Sequence, residues 1–157
     1  LRVHQWVKNT LLFVPLFTGF EFLNISKVFL IGLGFLAYSL VASGTYILND
    51  ICDLDADRAH PRKYKRPFAS GKIPIIHGIA IAGLLLMIAA VIAASLSHTF
   101  ALLLLTHFIM TSVYTIFLKE YALVDILILS SLYTLRIIAG ATVIGIALSS
   151  WLLVFSM

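Results

Sequence analysis

The feature that most constrains this chain is a run of 46 residues, from Ile73 to Leu118, that contains no charged side chain. A helix needs about 20 apolar residues to cross the hydrocarbon core of a membrane. The run is therefore long enough for two membrane spans joined by a turn, and the turn is predicted at Ser95–Thr99. A second uncharged run covers residues 28–49. Both runs predict membrane-spanning segments.

The composition excludes several classes of protein. Of the 157 residues, 61% are hydrophobic and only 11% are charged, whereas about a quarter of the residues in a typical soluble domain are charged. The chain is too apolar for a soluble enzyme or a disordered tail, and its single cysteine cannot form an internal disulfide. Helix is expected in every span, because an open sheet in lipid leaves backbone groups unpaired. The predicted fold class is all-α, a polytopic transmembrane helical bundle.

Five complete spans and the start of a sixth are predicted. They cover about residues 9–24, with a kink at Pro15, and then 27–49, 73–96, 99–118 and 122–147, and the sixth begins at 151. We assign residues 1–157 to one transmembrane domain, interrupted by a polar loop at residues 50–72. In the fifth span, Ala141 and Gly145 form a pair of small residues that predicts close helix packing.

The charged residues are concentrated in the 50–72 loop, which holds ten of the 18. If the N-terminus is cytoplasmic, nine lysines and arginines face the cytoplasm and only Lys27 faces the other side, with Arg136 inside the fifth span. Positively charged loops favour the cytoplasmic side. The N-terminus and the 50–72 loop are therefore predicted to lie on the cytoplasmic side of an inner or cytoplasmic membrane. This loop, with six bases and four acids, contributes half of the net charge of +4, and its bases favour anionic membrane lipid over nucleic acid as a partner.

Three acids and an amide share one face at the start of this loop. If the second span continues as a helix, at about 100° per residue, one arc of about 100° contains Asn49, Asp50, Asp53 and Asp57. Asp55 falls on the other side. Crowded carboxylates near a membrane repel one another and need a cation. Mg²⁺ prefers oxygen ligands and usually takes one or two carboxylates together with water and substrate phosphates. The acidic face therefore predicts a cation site.

Basic residues follow the acids directly, at Arg58, Arg62, Lys63, Lys65 and Arg66. Acids for a metal beside bases for anions are the arrangement that holds a diphosphate. A solvated loop in which the acids and bases only pair with one another is the simpler alternative. A calcium-binding loop is rejected, because Arg58 and Tyr64 stand where that loop requires Gly and Glu.

These residues resemble the first Asp-rich motif of the UbiA superfamily of intramembrane prenyltransferases. The pattern is N-D-x-x-D-x-x-x-D-R at residues 49–58, followed by R-P-x-x-S-G at residues 66–71. Q-W-V-K-N at residues 5–9, H-P-x-K at 60–63 and L-R-x-x-A-G at 135–140 are similar to the branch that contains decaprenyl-phosphate phosphoribosyltransferase. The resemblance implies a UbiA-like bundle of nine helices. We expect this chain to be its N-terminal part, because no second Asp-rich motif follows.

The resemblance also implies a reaction and a site. The expected enzyme is a Mg²⁺-dependent transferase that acts on a diphosphate donor and a polyprenyl lipid. In this branch it transfers 5-phosphoribose from phosphoribosyl diphosphate to a polyprenyl (decaprenyl) phosphate, a cell-wall precursor. The implied metal-binding, catalytic residues are Asp50, Asp53 and Asp57, supported by Asn49, and the implied phosphate-binding residues are Lys8, Arg58, Lys63 and Arg66.

Further candidates are polar residues in or beside the last spans. Arg136 lies deep in the fifth span and either contacts a phosphate or bridges to a neighbouring helix, because a lone cation is costly there. Tyr114, Lys119 and Asp125 lie near the cytoplasmic ends of the fourth and fifth spans and are expected at the mouth of the same cavity, with helix capping the alternative for Lys119. His107 is expected to be a packing residue.

Two other functions stay open on the sequence. The first is an aromatic polyprenyltransferase of the 4-hydroxybenzoate type, which would share the Asp-rich motif. The second is a non-enzymatic cation transporter that uses the acids as an entry site. The second is disfavoured because the acids cluster at one span end and the span interiors contain almost none. The sequence does not indicate an oligomeric state.

Overall fold

The computed structural model describes residues 3–115 and 122–147, and side chains throughout these ranges except at residues 122–125. All regular structure in these ranges is helical, which confirms the all-α prediction. The elements, in chain order, are a 3-10 helix at Val3–Phe13, α1 (Val14–Thr18), α2 (Ile25–Cys52), α3 (Leu54–Ala59), a 3-10 turn at Lys63–Lys65, α4 (Ile75–Leu96), α5 (His98–Val113) and α6 (Ala122–Ile144).

Three helices are long and apolar enough to cross a membrane, namely α2, α4 and the Ile126–Ile144 part of α6, and α5 is a shorter apolar helix. Large apolar side chains cover the outer face of α4: Ile76 is 68% exposed, Met87 60% and Val91 65%. Such a continuous apolar surface is unfavourable in water but matches the hydrocarbon core of a bilayer. The fold is therefore a membrane helical bundle.

The first predicted span, residues 9–24, is wrong in its boundaries. The helical segment runs from Val3 to Thr18, as a 3-10 helix followed by α1. Pro15 does not kink a long helix. It lies at the start of α1, where its missing N–H leaves no helical hydrogen bond unmade. The turn predicted between the third and fourth spans is present, since Ser97 separates α4 from α5 and its hydroxyl accepts the N–H of Phe100 at 3.0 Å.

Close packing in α6 uses a different small residue from the one predicted. A Cβ at Gly140 would lie 2.9 Å from the carbonyl carbon of Leu12, so α6 and the first 3-10 helix meet backbone to backbone at this position. Gly145 instead has a φ of +67° just after the end of α6, a conformation that favours glycine. Ala141 is buried as expected. The predicted pair therefore does not form the close contact, which lies at Gly140, one residue before Ala141.

Helix α2 is the centre of the bundle and contacts α4, α5, α6 and the first 3-10 helix. Tyr38 is fully buried on α2 and packs its ring at 5.9 Å from the ring of Phe100 on α5. Leu12 and Ala139 bring the first 3-10 helix and α6 into the same core cluster. This packing fixes the position of the C-terminal end of α2, where the acidic motif begins.

Candidate functional site

The C-terminal half of α2 lies between two cavities. The first, which we call the basic cavity, has a volume of about 320 Å³ and is lined by Lys8, Val41, Ala42, Thr45, Tyr46, Asn49, His107, Thr111, Tyr114, Thr115, Leu129, Leu132, Tyr133 and Arg136. The second, which we call the α2–α4 cavity, has a volume of about 470 Å³ and is lined by Ser43, Tyr46, Ile47, Asp50, Arg66, Pro67, Phe68, Ile73, Gly78, Ile81 and Leu85. Tyr46 lines both.

The basic cavity brings together four residues that the sequence singled out. Lys8 comes from the first 3-10 helix, Asn49 from α2, Tyr114 from the residue after α5, and Arg136 from α6. Among the described residues that line this cavity, two are cations and none is an acid. The remaining polar lining is mostly the hydroxyl groups of threonine and tyrosine. Cations and hydroxyl groups are suited to an anionic, oxygen-rich ligand.

Arg136 is 8% exposed and is held by neutral partners. Its Nε donates to Oδ1 of Asn9 at 3.0 Å, and its Nη1 donates to the carbonyl of Leu132 at 2.8 Å. Its guanidinium lies 5.6 Å from the centre of the Tyr133 ring. Arg136 therefore bridges to another segment, as one of the two alternatives raised by the sequence predicts, and it also lines the cavity.

Asn49 and Asp53 lie one helical turn apart at the end of α2. The backbone N–H of Asp53 donates to the carbonyl of Asn49 at 2.9 Å, so helical geometry continues to Asp53. The amide nitrogen of Asn49 donates to Oγ1 of Thr115 at 3.4 Å. The side-chain oxygen of Asn49 is consequently the atom that a cation in the basic cavity would contact.

Asp50 and Asp57 lie on the other side of this helical face and share one arginine. Nη1 of Arg66 is 3.2 Å from Oδ1 of Asp50 and 2.6 Å from Oδ2 of Asp57. Asp57 is only 2% exposed, so its carboxylate is neutralised inside the protein. Acid–base pairing, the simpler alternative raised by the sequence, therefore describes these two acids in this structure.

A Mg²⁺ ion fits only part of the predicted ligand set. The described residues contain no group of three or more His, Cys, Asp or Glu side chains that could hold a metal together. Asp50 and Asp57 already converge on one cation, so a metal between them requires Arg66 to move. The amide oxygen of Asn49, which lines the basic cavity, and the carboxylate of Asp53, one helical turn further along, are hard oxygen donors of the type that Mg²⁺ prefers.

The segment after the acids is anchored by its own packing. Phe68 is buried against α4, where a Cβ at Gly78 would lie 2.5 Å from the Phe68 ring. Gly71 has a φ of +73°, which turns the chain back toward α4 and favours glycine. This anchoring places Arg66 next to the end of α2. The R-P-x-x-S-G pattern therefore has a structural role beside any role in binding.

The other predicted residues lie away from the basic cavity or beyond the described structure. Arg58 is exposed and its Nε donates to the carbonyl of Ala69 at 3.4 Å. Lys63 is exposed in its 3-10 turn, and Asp55 is exposed on α3. Lys119 lies outside the described residues, and the side chain of Asp125 is likewise not described.

Sequence reasoning missed several residues of the basic cavity. His107, expected to be a packing residue, is buried and lines the cavity, and its Nδ1 has no hydrogen-bond partner among the described residues. Ala42, Thr45 and Tyr46 also line it. Together with Asn49 these three residues repeat every three or four positions, so the helical period leading into Asn49 could have identified them.

Comparisons with known proteins identify relatives over nearly the whole chain. Residues 10–157 match the model of the UbiA prenyltransferase family. The chain is 42% identical over 156 residues to the uncharacterized protein y4nM of Sinorhizobium fredii, covering 99% of this chain and 30% of that protein. It is 36% identical over 157 residues to the decaprenyl-phosphate phosphoribosyltransferase of Mycolicibacterium smegmatis, covering 98% and 49%. It is 35% identical over 155 residues to the nodulation protein NoeC of Azorhizobium caulinodans, covering 99% and 50%. The chain thus spans half or less of each of these relatives.

Proposed function

This chain belongs to the UbiA prenyltransferase family, and we propose that the full-length protein is an intramembrane transferase that moves 5-phosphoribose from phosphoribosyl diphosphate to a polyprenyl phosphate. The observation that carries the proposal is the basic cavity, which is lined by Lys8, Asn49 and Arg136 and has no acid in its described lining. The donor has phosphate groups at both ends of a sugar. A cavity with two cations and several hydroxyl groups offers partners for each of these parts.

In this reaction one bond forms and one bond breaks. An oxygen of the polyprenyl phosphate attacks C1 of the ribose, and the bond from C1 to the diphosphate oxygen breaks with its electron pair leaving on the diphosphate. Lys8 and Arg136 stabilise the negative charge of the bound phosphates, and their preset positions favour the departure of the diphosphate. The tyrosine and threonine hydroxyl groups of the cavity are suited to orient the sugar.

A divalent metal is the cofactor that the family generally uses, and we propose Mg²⁺ here. It would neutralise charge on the leaving diphosphate. Asn49, which lines the basic cavity, and Asp53, one helical turn further along, are the residues that would hold it. The sequence also assigns Asp50 and Asp57 to the metal. We retain this assignment only for a conformation in which Arg66 no longer contacts these two acids. Arg66 would then be available to bind phosphate.

The proposal is tested by transfer in membranes that contain the full-length protein. Label from phosphoribosyl diphosphate should appear in decaprenyl phosphate in the presence of Mg²⁺ and not in the presence of excess chelator. Arg136→Gln should weaken donor binding about 10-fold or more, because a charge-assisted phosphate contact contributes roughly 1.5–3 kcal/mol. Transfer of a prenyl chain to 4-hydroxybenzoate, without turnover of the sugar donor, would instead support the aromatic branch and refute the donor assignment.

The proposed orientation can be tested separately by cysteine labelling. Cys52 is exposed, so it is first replaced by serine. Ser70→Cys should then react only with a reagent on the cytoplasmic side, and Ser97→Cys only from the other side, because these residues lie at opposite ends of α4. The reverse pattern would place the basic cavity out of reach of a cytoplasmic sugar diphosphate.

A further inference from the structure

Arg136 is held at the wall of the basic cavity by Asn9. Asn9 is 1% exposed and lies on the first 3-10 helix, 127 residues away from Arg136 in the chain. Its Oδ1 accepts the Nε of Arg136 at 3.0 Å. Its Nδ2 donates to the hydroxyl of Ser39 on α2 at 3.1 Å. One amide therefore links three segments of the bundle at the wall of the basic cavity.

The hydrogen bonds define the orientation of this amide. An arginine has only donors, so the atom of Asn9 that faces Arg136 must be the oxygen, and the nitrogen must face Ser39. Ser39 is itself fully buried and receives a further hydrogen bond on its carbonyl, from the hydroxyl of Ser43 at 2.9 Å. The hydroxyl of Ser43 in turn accepts the indole N–H of Trp6 at 3.0 Å. Asn9 is thus held on both sides.

The choice of an amide has an electrostatic consequence. A carboxylate at this position would also accept from Arg136, but it would form an ion pair and cancel most of the field of the guanidinium. A neutral amide fixes the orientation of Arg136 and leaves its positive charge uncancelled. Among the residues that the structure describes, no acid forms an ion pair with Arg136. Within the described side chains, no acid therefore cancels its charge at the wall of the cavity.

We propose that Asn9 is a positioning residue that orients Arg136 toward the basic cavity and keeps its charge available for a phosphate group of the ligand. Two of the five N–H donors of Arg136 are used by Asn9 and Leu132. The other three are the donors for phosphate oxygens. The proposal rests on the proposed function only in naming phosphoribosyl diphosphate as the ligand, and inorganic pyrophosphate serves as a simpler probe of the same chemistry.

The test is a double-mutant cycle on the full-length protein, with the dissociation constants of phosphoribosyl diphosphate and of pyrophosphate as the readout. Asn9→Asp preserves the size of the side chain and its contact to Arg136 but adds a negative charge. It should raise both dissociation constants about 10-fold or more, since it removes the net charge of one phosphate contact. In the Arg136→Gln background the same substitution should change binding less than about 2-fold, because its effect acts through Arg136.

Two further variants separate positioning from folding. Asn24→Asp makes the same change at the exposed cap of α2, where either side chain can accept the N–H of Lys27, and it should leave binding unchanged. Asn9→Ala keeps the charge of Arg136 but removes its orientation, and it should weaken binding about 3-fold to 10-fold, less than Asn9→Asp does. If Asn9→Asp does not fold, Asn9→Ala carries the cycle, because its effect must also vanish with Arg136→Gln.

The possible results are distinct. Wild-type protein that binds pyrophosphate but not phosphoribosyl diphosphate would overturn the proposed donor. The double-mutant cycle of Asn9 and Arg136 would then be measured with pyrophosphate alone. Wild-type protein that binds both, together with an Asn9→Asp variant that binds them equally well, would overturn the role of Asn9 and leave the proposed function intact. Wild-type protein that binds neither anion would overturn both. An Asn9→Asp effect that persists fully in the Arg136→Gln background would indicate a structural role instead.

Discussion

The two sides of helix α2 differ in how their buried charged side chains are paired. On the side of the α2–α4 cavity, Asp50 and Asp57 are neutralised by Arg66 within the protein. On the side of the basic cavity, Arg136 is oriented by the neutral groups of Asn9 and Leu132. Charges that cancel inside a protein contribute mainly to its structure, whereas a buried cation with neutral partners retains its attraction for an anion. The difference distinguishes the charged residues that stabilise the fold from those that are suited to bind an anion.

Helical geometry explains how one motif serves both sides. At about 100° per residue, Tyr46 lies roughly 40° from Asp50, Asp53 about 60° and Asn49 about 100°, all in the same direction. Tyr46 lines both cavities, and Asn49 lines the basic cavity alone. Asp53 falls between these two residues in angle. The acidic face predicted from the sequence is thus divided, with Asp50 lining the α2–α4 cavity and Asn49 lining the basic cavity.

The largest effect should come from removing the cation on the structural side. Arg66→Ala leaves Asp57, which is 2% exposed, as a buried carboxylate without its partner. Removing one member of a buried pair costs about 3–5 kcal/mol, and the lower end applies because Arg66 is itself partly exposed. The unfolding temperature of the protein in detergent should fall markedly. Arg58→Ala is the matched control and should change it little, because Arg58 is exposed.

The outcome also tests the assignment of Arg66 to phosphate. If Arg66→Ala unfolds at the wild-type temperature but no longer binds the sugar donor, the pairing with Asp50 and Asp57 is not a structural requirement. In that case the α2–α4 side would belong to the binding site, and the contrast between the two sides would be lost.

The next effect should distinguish Asp53 from Asp55. Asp53→Asn removes a charge next to Asn49 and should lower the transfer rate about 100-fold, as expected for the loss of a metal-binding carboxylate. The unfolding temperature is measured alongside, so that a loss of transfer can be distinguished from a loss of folded protein. Asp55→Asn, at an exposed position of α3, should stay within a few-fold of wild type. Equal sensitivity at both positions would contradict the division of the helical face.

Local patterns predicted the parts of this molecule that depend on local physics. The uncharged runs predicted α2 and α4, since membrane thickness sets the length of an apolar helix. The helical period placed Asp55 away from the other acids. The pairing of Arg136 with Asn9 joins residues 127 positions apart, and no local pattern contains such a contact. The pairing of Asp57 with Arg66 could not be predicted either, because it depends on the path of the chain between α3 and α4.

The smallest effect should separate the two exposed lysines assigned to phosphate. Lys8 lines the basic cavity, whereas Lys63 lies in an exposed 3-10 turn. Exposed charge pairs contribute up to about 1 kcal/mol, so Lys8→Ala should weaken donor binding about 3-fold to 5-fold at low salt. Salt screens exposed charges over about 10 Å at 0.1 M. The loss of binding in Lys8→Ala should therefore shrink as the sodium chloride concentration is raised. The loss in Arg136→Gln should persist, because Arg136 is buried. Lys63→Ala should stay within about 2-fold of wild type at every salt concentration. A larger loss for Lys63 than for Lys8 would mean that the donor phosphates bind the 50–72 loop and not the basic cavity.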